Sequence, residues 1–321
     1  MTATPVRTAS ATPVGADRPD RSGPAIRRRQ RARRAITGWA FSAPFTVLFV
    51  VFAALPVVAA LLMSFTDLRA TDLRNPFAVN FVGLDNYARL FSDELFLRST
   101  VNTLVFVVVG VPLTMAIALV AATLLNSALL RFRALFRVGF YLPAVTSIVA
   151  IAVIWRFLLD PEAGLVNNLL RLVGVDGPSW LQDPDTALGS LIVMSAWRNF
   201  GFLMVIFLAG LQGIPADLYE AATLDGAGRW QQFRRITLPL LRPTLLFGAV
   251  ITGIGYLQLF EEPFVMTQGG PLSSTLSVSY HIYNQFGFGN YGYAAAASYV
   301  LFVAIVALSA LQFRLLGTRE D

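Results

Sequence analysis

The sequence predicts an all-α polytopic membrane protein with six transmembrane helices and both termini in the cytoplasm. Of its 321 residues, 55% are hydrophobic and only 14% are charged, whereas soluble domains contain about 25% charged residues. The apolar residues also form blocks of about 20 or more, the length at which a helix crosses a hydrocarbon core of about 30 Å. A soluble chain of this size would distribute them at amphipathic spacing instead.

The six predicted spans are separated by polar segments of unequal charge. They cover about residues 39–66, 98–126, 137–159, 188–211, 243–265 and 292–315. Arginine is concentrated before the first span and in the segments that follow the second and fourth spans, whereas the segment after the third span is acidic. Because cytoplasmic loops carry an excess of basic residues, this asymmetry predicts that both termini lie inside.

The chain is predicted to consist of a basic tail and a transmembrane domain. Residues 1–38 are expected to form a disordered cytoplasmic tail, since they contain several Pro and Gly residues, few large apolar ones and an arginine cluster. We interpret the cluster as a topology anchor, and binding to anionic lipid is the alternative. Residues 39–321 form the predicted transmembrane domain, with its core at 98–315.

Composition excludes several classes of function. The formal net charge of +6 lies mostly in the tail and the short loops, as membrane topology demands, so we predict no nucleic-acid partner. The sequence contains no cysteine, which rules out disulfides and thiolate metal sites. The single histidine, His281, falls in a predicted outer loop, where a lone exposed histidine indicates no metal site. There is no P-loop and no constellation of nucleophile and base, so we predict that the chain is not an enzyme.

The segment between the fourth and fifth spans predicts a short helix that ends in a sharp turn. Pro215 suits the first position of a helix, where its missing N–H is not needed. Asp217 and Glu220 lie near the helix N-terminus, where negative charge is favoured. Gly226 and Gly228 end the helix and permit a reversal of the chain.

A second short helix is predicted from Arg229 to Ile236. Trp230 and Phe233 share one face with Ile236, and Pro239 and Pro243 are expected to stop this helix before the fifth span. A loop that only connects two spans does not need two structured helices. The pattern therefore indicates a cytoplasmic surface on which a soluble partner docks.

This loop resembles the EAA loop in permease subunits of bacterial binding-protein-dependent ABC importers. The resemblance rests on Glu220-Ala221-Ala222, Asp225-Gly226-Ala227, Ile236, Leu238 and Pro239. It extends over about residues 39–315 and includes Asn80 to Tyr87, Asn102-Thr103, Tyr141-Leu142-Pro143 and Thr267-Gln268-Gly269-Gly270-Pro271. The last of these is similar to the carbohydrate branch of the family, and specifically to the first permease subunit of the maltose and glycerol-phosphate type.

The resemblance implies a set of partners in a bacterial cell membrane. A second permease subunit would complete the pathway, an extracellular binding protein would deliver the substrate, and membrane lipid would surround the spans. A dimer of cytoplasmic ATP-binding subunits would use ATP and Mg, so this chain itself is expected to bind no cofactor and no metal. The residues implied in coupling to the ATPase are Glu220, Ala221, Ala222, Asp225, Gly226 and Ala227.

Polar residues within two of the spans mark a candidate substrate pathway, because such groups are costly in the membrane and usually face a cavity or another helix. The candidates on the fourth span are Ser195, Arg198, Asn199 and Phe202, and those on the fifth are Thr252, Tyr256, Gln258 and Glu261. The resemblance implies substrate contact for positions matching most of this set. The alternative for the small polar residues is a hydrogen bond within the bundle, and for Arg198 it is a structural ion pair with Glu261 or Glu262.

The charge of the outer segments predicts a neutral sugar or short oligosaccharide as the substrate. The acidic residues after the third span are Asp160, Glu162, Asp176, Asp183 and Asp185, and such a field repels an anion over about a Debye length. Arg198 instead favours an anionic substrate, since an unpaired guanidinium could hold a sugar phosphate. Two other classes remain open: an ion-coupled secondary transporter, which needs no docking loop, and a membrane scaffold, which needs no polar residues at matching depth.

Overall fold

A computed structural model of the chain describes residues 38–74, 79–127 and 132–316. These residues are mostly helical, and the described part has no β-strand beyond an isolated bridge between Thr66 and Phe81. The predicted all-helical class is confirmed. The tail predicted over residues 1–38 lies outside the described residues, apart from Gly38, where the first helix begins.

The chain divides into two units, Met1–Ala59 and Ala60–Asp321. The described residues of the first unit are helical and are largely exposed. In chain order the helices are α1 (Gly38–Ser64), α2 (Asp85–Ser92), α3 (Glu94–Asn126), α4 (Arg133–Val145), α5 (Ile148–Leu158), α6 (Leu165–Leu172), α7 (Pro184–Gln212), α8 (Ala216–Leu224), α9 (Arg229–Leu240), α10 (Arg242–Leu257), α11 (Glu261–Met266), α12 (Val278–Gly287) and α13 (Tyr291–Leu316).

Among the described residues, four helices are each long and apolar enough to cross a membrane, namely α1, α3, α7 and α13. Two bent pairs, α4 with α5 and α9 with α10, meet the same requirements only when each pair is taken together, so the number of spans lies between four and six. The chain is therefore a multi-pass membrane protein.

The predicted third span, residues 137–159, is interrupted. Helix α4 ends at Val145, α5 begins at Ile148, and their axes meet at a bend of 98°. Pro143, in the last turn of α4, has no N–H to donate to the preceding turn, which weakens the helix at this point. Thr146 and Ser147 then leave the helical conformation, with ψ angles of 149° and 125°.

The predicted fifth span, 243–265, is also interrupted. Helix α10 ends at Leu257, and α11 starts at Glu261 after a short non-helical segment. A continuous helix would bring the ring of Pro263 against the carbonyl group of Leu259, four residues earlier. In the structure that carbonyl instead accepts a hydrogen bond of 2.5 Å from Ser277 Oγ, so the break leaves no unpaired backbone acceptor there.

The segment between the predicted fourth and fifth spans, residues 212–242, is here called the docking loop. Pro239 does not end its second helix, contrary to prediction. Helix α9 continues through it to Leu240 and contains a π-helical turn at Phe233–Thr237. This wider turn includes Arg235, whose carbonyl group would otherwise meet the proline ring. The bend of 66° between α9 and α10 falls one residue later, at Leu241, and Pro243 then lies in the first turn of α10.

Helix α7 is the central helix of the second unit. In its most apolar 18-residue stretch 61% of the residues are buried, compared with 33% for α3 and 22% for α13. It packs against α3 along two hydrophobic clusters, one around Phe106 and Met194 and the other around Leu203 and Phe207. Helix α4 approaches α7 so closely that a Cβ atom at Gly201 would lie 1.8 Å from the carbonyl oxygen of Phe140. Only glycine permits this contact, as at other close helix crossings in membranes.

Candidate substrate cavity and docking loop

A cavity of about 370 Å³, here called the central cavity, lies between α7 and α10. Every residue proposed for the substrate pathway lines it except Ser195, namely Arg198, Asn199, Phe202, Thr252, Tyr256, Gln258 and Glu261. Ile148, at the start of α5, and Glu262, in α11, complete part of its wall. The structure thus brings the candidate residues of the two spans together, while their contact with a substrate stays a prediction.

Ser195 takes part in the wall of the central cavity indirectly. It is fully buried, and its Oγ donates a hydrogen bond of 3.2 Å to Glu262 Oε1. Glu262 is itself only 6% exposed and lines the cavity. The sequence predicts Glu262 as an acid at the outer end of the fifth span and as an ion-pair partner of Arg198. It does not predict that Glu262 lines the cavity, because the break before α11 resets the helical phase and the faces of α10 cannot be extended across it.

Arg198 forms no ion pair with a carboxylate among the described residues, so the proposed salt bridge to Glu261 or Glu262 is absent. Its Nη1 donates a hydrogen bond of 3.1 Å to Asn199 Oδ1. Its Nε is buried and has no hydrogen-bond partner. A buried donor left unpaired costs about 1–3 kcal/mol, so an oxygen atom of a ligand at this point would be stabilised.

Tyr256 is held in place by α3. Its hydroxyl shares a hydrogen bond of 2.8 Å with Thr114 Oγ1, and its ring lies edge-on to Phe106 with centroids 5.0 Å apart. A Cβ atom at Gly110 would lie 2.9 Å from the same ring. The ring therefore forms a fixed wall of the cavity, and its hydroxyl already has a partner within the protein.

The docking loop has the helix–turn–helix form that its sequence predicts. Pro215 occupies the N-cap of α8, one position earlier than predicted, and Gly226 turns the chain with φ of +79°. The N–H groups of Gly226 and Ala227 donate to the carbonyl groups of Thr223 and Ala222 at 3.0 and 2.9 Å. This is the pattern of a glycine-terminated helix.

No residue of α8 is buried, so no buried apolar side chain of α8 holds it against the rest of the protein. Side-chain hydrogen bonds join α8 to the second half of the loop. Tyr219 OH and Thr237 Oγ1 lie 2.9 Å apart, and Thr237 is 6% exposed within the π turn of α9. Gln232 Nε2 donates to Thr223 Oγ1 at 2.9 Å and to the carbonyl oxygen of Ala227 at 3.1 Å. Because α9 leads into α10, these bonds connect the exposed helix to the wall of the central cavity.

The exposed surface of the docking loop is partly apolar. Leu224 is 90% exposed, and the ring of Trp230, which is 73% exposed, stacks on Phe233 at 5.7 Å. Glu220 and Ala221 are also exposed. An exposed helix end with both apolar and charged side chains is typical of a surface that docks into a partner.

The prediction that His281 is exposed was wrong, because α12 buries it between Phe96 and Tyr293. Its Nε2 lies 3.9 Å from Asp93 Oδ2, which accepts a hydrogen bond of 2.5 Å from Tyr293 OH. Burial lowers the pKa of His281 below its ordinary value, although Asp93 acts in the opposite direction. Burial raises the pKa of Asp93, but hydrogen bonds from Tyr293 and from the N–H groups of Phe96 and Leu95 outweigh it and leave that pKa lowered.

Two of the acidic residues that follow the predicted third span have structural partners. Asp160 Oδ1 accepts hydrogen bonds from the N–H groups of Glu162 and Ala163 at 3.0 and 2.8 Å. Asp183 caps α7 by accepting a hydrogen bond of 2.9 Å from the N–H of Asp185. The two carboxylates thus fix the chain on either side of α6.

Comparison with known proteins assigns the chain to a family. Residues 34–316 match the model of the binding-protein-dependent transport system inner membrane component, and the chain belongs to that family. It is 39% identical to the lactose transport system permease protein LacF of Rhizobium radiobacter, over 87% of this chain and 93% of that protein. It is 33% identical to the arabinooligosaccharides transport system permease protein AraP of Bacillus subtilis, over 87% and 88% of the two chains.

Solved structures agree with this assignment. The fold is similar to a chain of a bacterial ABC transporter involved in the import of the acidic polysaccharide alginate, with a TM-score of 0.76, 27% identity, and coverage of 92% of this chain and 100% of that chain. A second structure of a bacterial alginate transporter, in complex with a pentasaccharide-bound periplasmic protein, gives a TM-score of 0.74. The prediction of a permease subunit of an ABC importer is confirmed.

Proposed function

We propose that this permease subunit forms half of the pathway through which a bacterial ABC importer carries a neutral sugar or short oligosaccharide across the inner membrane. The observation that carries the proposal is the central cavity. Asn199 and Gln258 contribute amides to it, and Tyr256 contributes an aromatic wall. Amides pair with hydroxyl groups as donor and acceptor, and apolar rings contact the carbon faces of a sugar. Relatives whose names refer to lactose and arabinooligosaccharides support the same substrate class.

In this proposal the chain crosses the membrane six times and keeps both termini in the cytoplasm. Each bent pair then counts as one span, and the docking loop of α8 and α9 faces the cytoplasm. Its partners are a second permease subunit, two ATP-binding subunits that use ATP and Mg, and an extracellular binding protein. The complex of the alginate transporter with a periplasmic protein supports the last of these.

Transport then depends on movement of the docking loop relative to the cavity. Glu220 and its neighbours on α8 contact the ATP-binding subunit, and Gly226 sets the angle at which α8 is presented. The bond between Tyr219 and Thr237 passes a displacement of α8 to α9, and α10 carries it to Thr252 and Tyr256. Alternating access requires such an element with two arrangements that both sites bias.

An acidic sugar is the second candidate, and Arg198 favours it. Its guanidinium has an unpaired Nε and no carboxylate partner among the described residues. The alginate importer with a similar fold carries an acidic polysaccharide. Against this reading, the exposed Glu261 lines the same cavity, and its negative charge would repel an anion.

Purification of the complex through a tag on this chain tests the proposal. We expect an ATP-binding subunit to copurify, and vesicles containing the complex and its binding protein to take up at least one of lactose, trehalose, maltose, arabinobiose or arabinotriose when ATP is supplied. Glucose 6-phosphate and a uronic acid disaccharide serve as anionic probes. If only an anionic probe is carried, and Arg198→Gln abolishes its uptake, the neutral-sugar assignment is wrong and Arg198 is a ligand.

A further inference from the structure

A second cavity, of about 470 Å³, lies at the far end of α11 from the central cavity. We call it the outer cleft. Its walls are the last turns of α5, the segment just before α7, and the residues that follow α11. Its volume falls within the range of about 300–1,000 Å³ that is typical of small-molecule sites. Thr267 and Gln268, the first two residues of the sequence motif Thr267 to Pro271, form part of one of these walls.

The side chains of the outer cleft suit a hydroxyl-rich solute without net charge. Arg156 and Asp160 contribute one charge of each sign, and Gln182 and Gln268 contribute amides. Arg156 Nη1 donates to the carbonyl oxygen of Val265 at 3.3 Å, which ties the guanidinium to the wall. Phe157 lines the same cleft with 74% of its surface exposed, and its ring offers an apolar face.

Gln268 is presented to the cleft by a rigid turn. It has φ of +52°, a left-handed conformation that is strained for a residue with a side chain. Hydrogen bonds hold the turn: Thr267 Oγ1 lies 2.7 Å from Thr275 Oγ1, and Thr275 Oγ1 donates to the carbonyl oxygen of Gly270 at 2.8 Å. Thr275 is 1% exposed. A strained residue that its surroundings fix in place is typical of a binding site.

The outer cleft and the central cavity are adjacent along two helices. Glu261 and Glu262, at the start of α11, line the central cavity, whereas Met266, at its end, lines the outer cleft. On α5, Ile148 lines the central cavity and Arg156 lines the outer cleft. At a rise of 1.5 Å per residue these separations are roughly 6 to 12 Å, a distance that neighbouring units of one oligosaccharide chain can bridge.

We propose that the outer cleft is a second sugar subsite, which binds the trailing unit of a neutral trisaccharide while the two leading units occupy the central cavity. The proposal rests on the sugar-transport function proposed above and adds a length preference to it. The two cavities together select an extended chain over a shorter sugar. Gln268 and Gln182 bind hydroxyl groups of the trailing unit, and Phe157 contacts its apolar face.

Uptake of sugars of different length tests the subsite. Vesicles containing the complex are supplied with maltose and maltotriose, and with arabinobiose and arabinotriose. We expect Gln268→Ala to lower the ratio of trisaccharide to disaccharide uptake about fivefold, the effect of one lost hydrogen bond. Asp176→Ala, at an exposed residue outside the cleft, serves as the matched control and leaves the ratio unchanged.

A labelling experiment gives a second readout that does not depend on the transport rate. This chain contains no cysteine, so Gln268→Cys and Asp176→Cys each introduce a single thiol into it, and the label on this chain is measured after its separation from the other subunits. We expect the carried trisaccharide to slow modification of the thiol at position 268 by a membrane-impermeant maleimide, and to leave the thiol at position 176 unaffected.

Several results would overturn the subsite. The first is an unchanged ratio of trisaccharide to disaccharide uptake in Gln268→Ala, and the second is uptake of a disaccharide without its trisaccharide. The third is a thiol at position 268 that the trisaccharide does not protect from the maleimide, or that the maleimide cannot reach because a partner subunit covers it. These results leave the transport function intact, since the disaccharide is still carried. If the wild-type complex carries no neutral sugar at all, the proposed function fails and the subsite fails with it.

Discussion

The close contact between α4 and α7 predicts that Gly201→Ala destabilises the protein strongly. The added Cβ would lie 1.8 Å from the carbonyl oxygen of Phe140 and 3.1 Å from the Cα of Tyr141. An ordinary contact between carbon and oxygen is about 3.3–3.6 Å, so the backbone of α4 would have to move by about 1.5 Å. The obstructing atoms belong to the backbone, so a change of rotamer cannot relieve the clash.

The magnitude follows from two opposing contributions. Overpacking of a tight contact costs about 1–3 kcal/mol, and the top of this range applies because backbone must shift. Replacing glycine by alanine in a helix recovers about 0.8–1.0 kcal/mol. We therefore expect a net loss of about 2 kcal/mol for Gly201→Ala.

Gly189→Ala is the matched control, because Gly189 lies in the same helix and a Cβ there would meet nothing within 4 Å. The assay is the thermal unfolding midpoint of the detergent-solubilised protein, followed by tryptophan fluorescence. We expect the midpoint to fall by several degrees for Gly201→Ala and to stay equal or rise slightly for Gly189→Ala. Equal midpoints for the two variants would refute the close packing of α4 on α7.

Four further predictions concern coupling, pH dependence and topology. Gly226→Val should abolish uptake while the protein still inserts, because a β-branched residue is strained at φ of +79° and the angle of α8 changes; normal uptake, measured beside membrane abundance, would contradict this. Tyr219→Phe removes the bond to Thr237 and should lower sugar uptake per ATP hydrolysed several-fold, whereas Thr237→Ser keeps the hydroxyl and should preserve the ratio. In the folded protein the pKa of His281 lies below its ordinary value of 6.5. The stability contributed by the neutral form of His281 is therefore complete above about pH 6.5 and is lost as the pH falls towards the lower folded pKa. We expect the thermal unfolding midpoint to be lower at about pH 5 than at about pH 7, and the difference to be smaller in His281→Gln. Reporter fusions after residues 80, 175 and 280 should report the outside, and fusions after 132, 230 and 318 the inside, with a single reversal forcing a different topology.

Much of the fold and part of the site can be predicted from the sequence because the deciding interactions are local. Long apolar blocks must become helices in a membrane, where no other element satisfies the backbone within one segment. The turn after α8 follows from Gly226, whose position accepts a left-handed conformation at no steric cost. Arg198, Asn199 and Phe202 share one side of the cavity because helical spacing is preserved along the unbroken α7.

The remaining features depend on contacts between distant segments, and only the tertiary structure decides them. The break between α10 and α11 needs Ser277 to satisfy Leu259, and it makes Glu262 the buried acid of the cavity. His281 is buried because α12 packs against Phe96 and Tyr293, although its sequence neighbours suggest an exposed loop. A local pattern fixes the conformation of one helix. Where a helix is interrupted, the spacing of its residues no longer predicts which side chains share a face. From that point on, the partner of each polar side chain is determined by how separate helices pack.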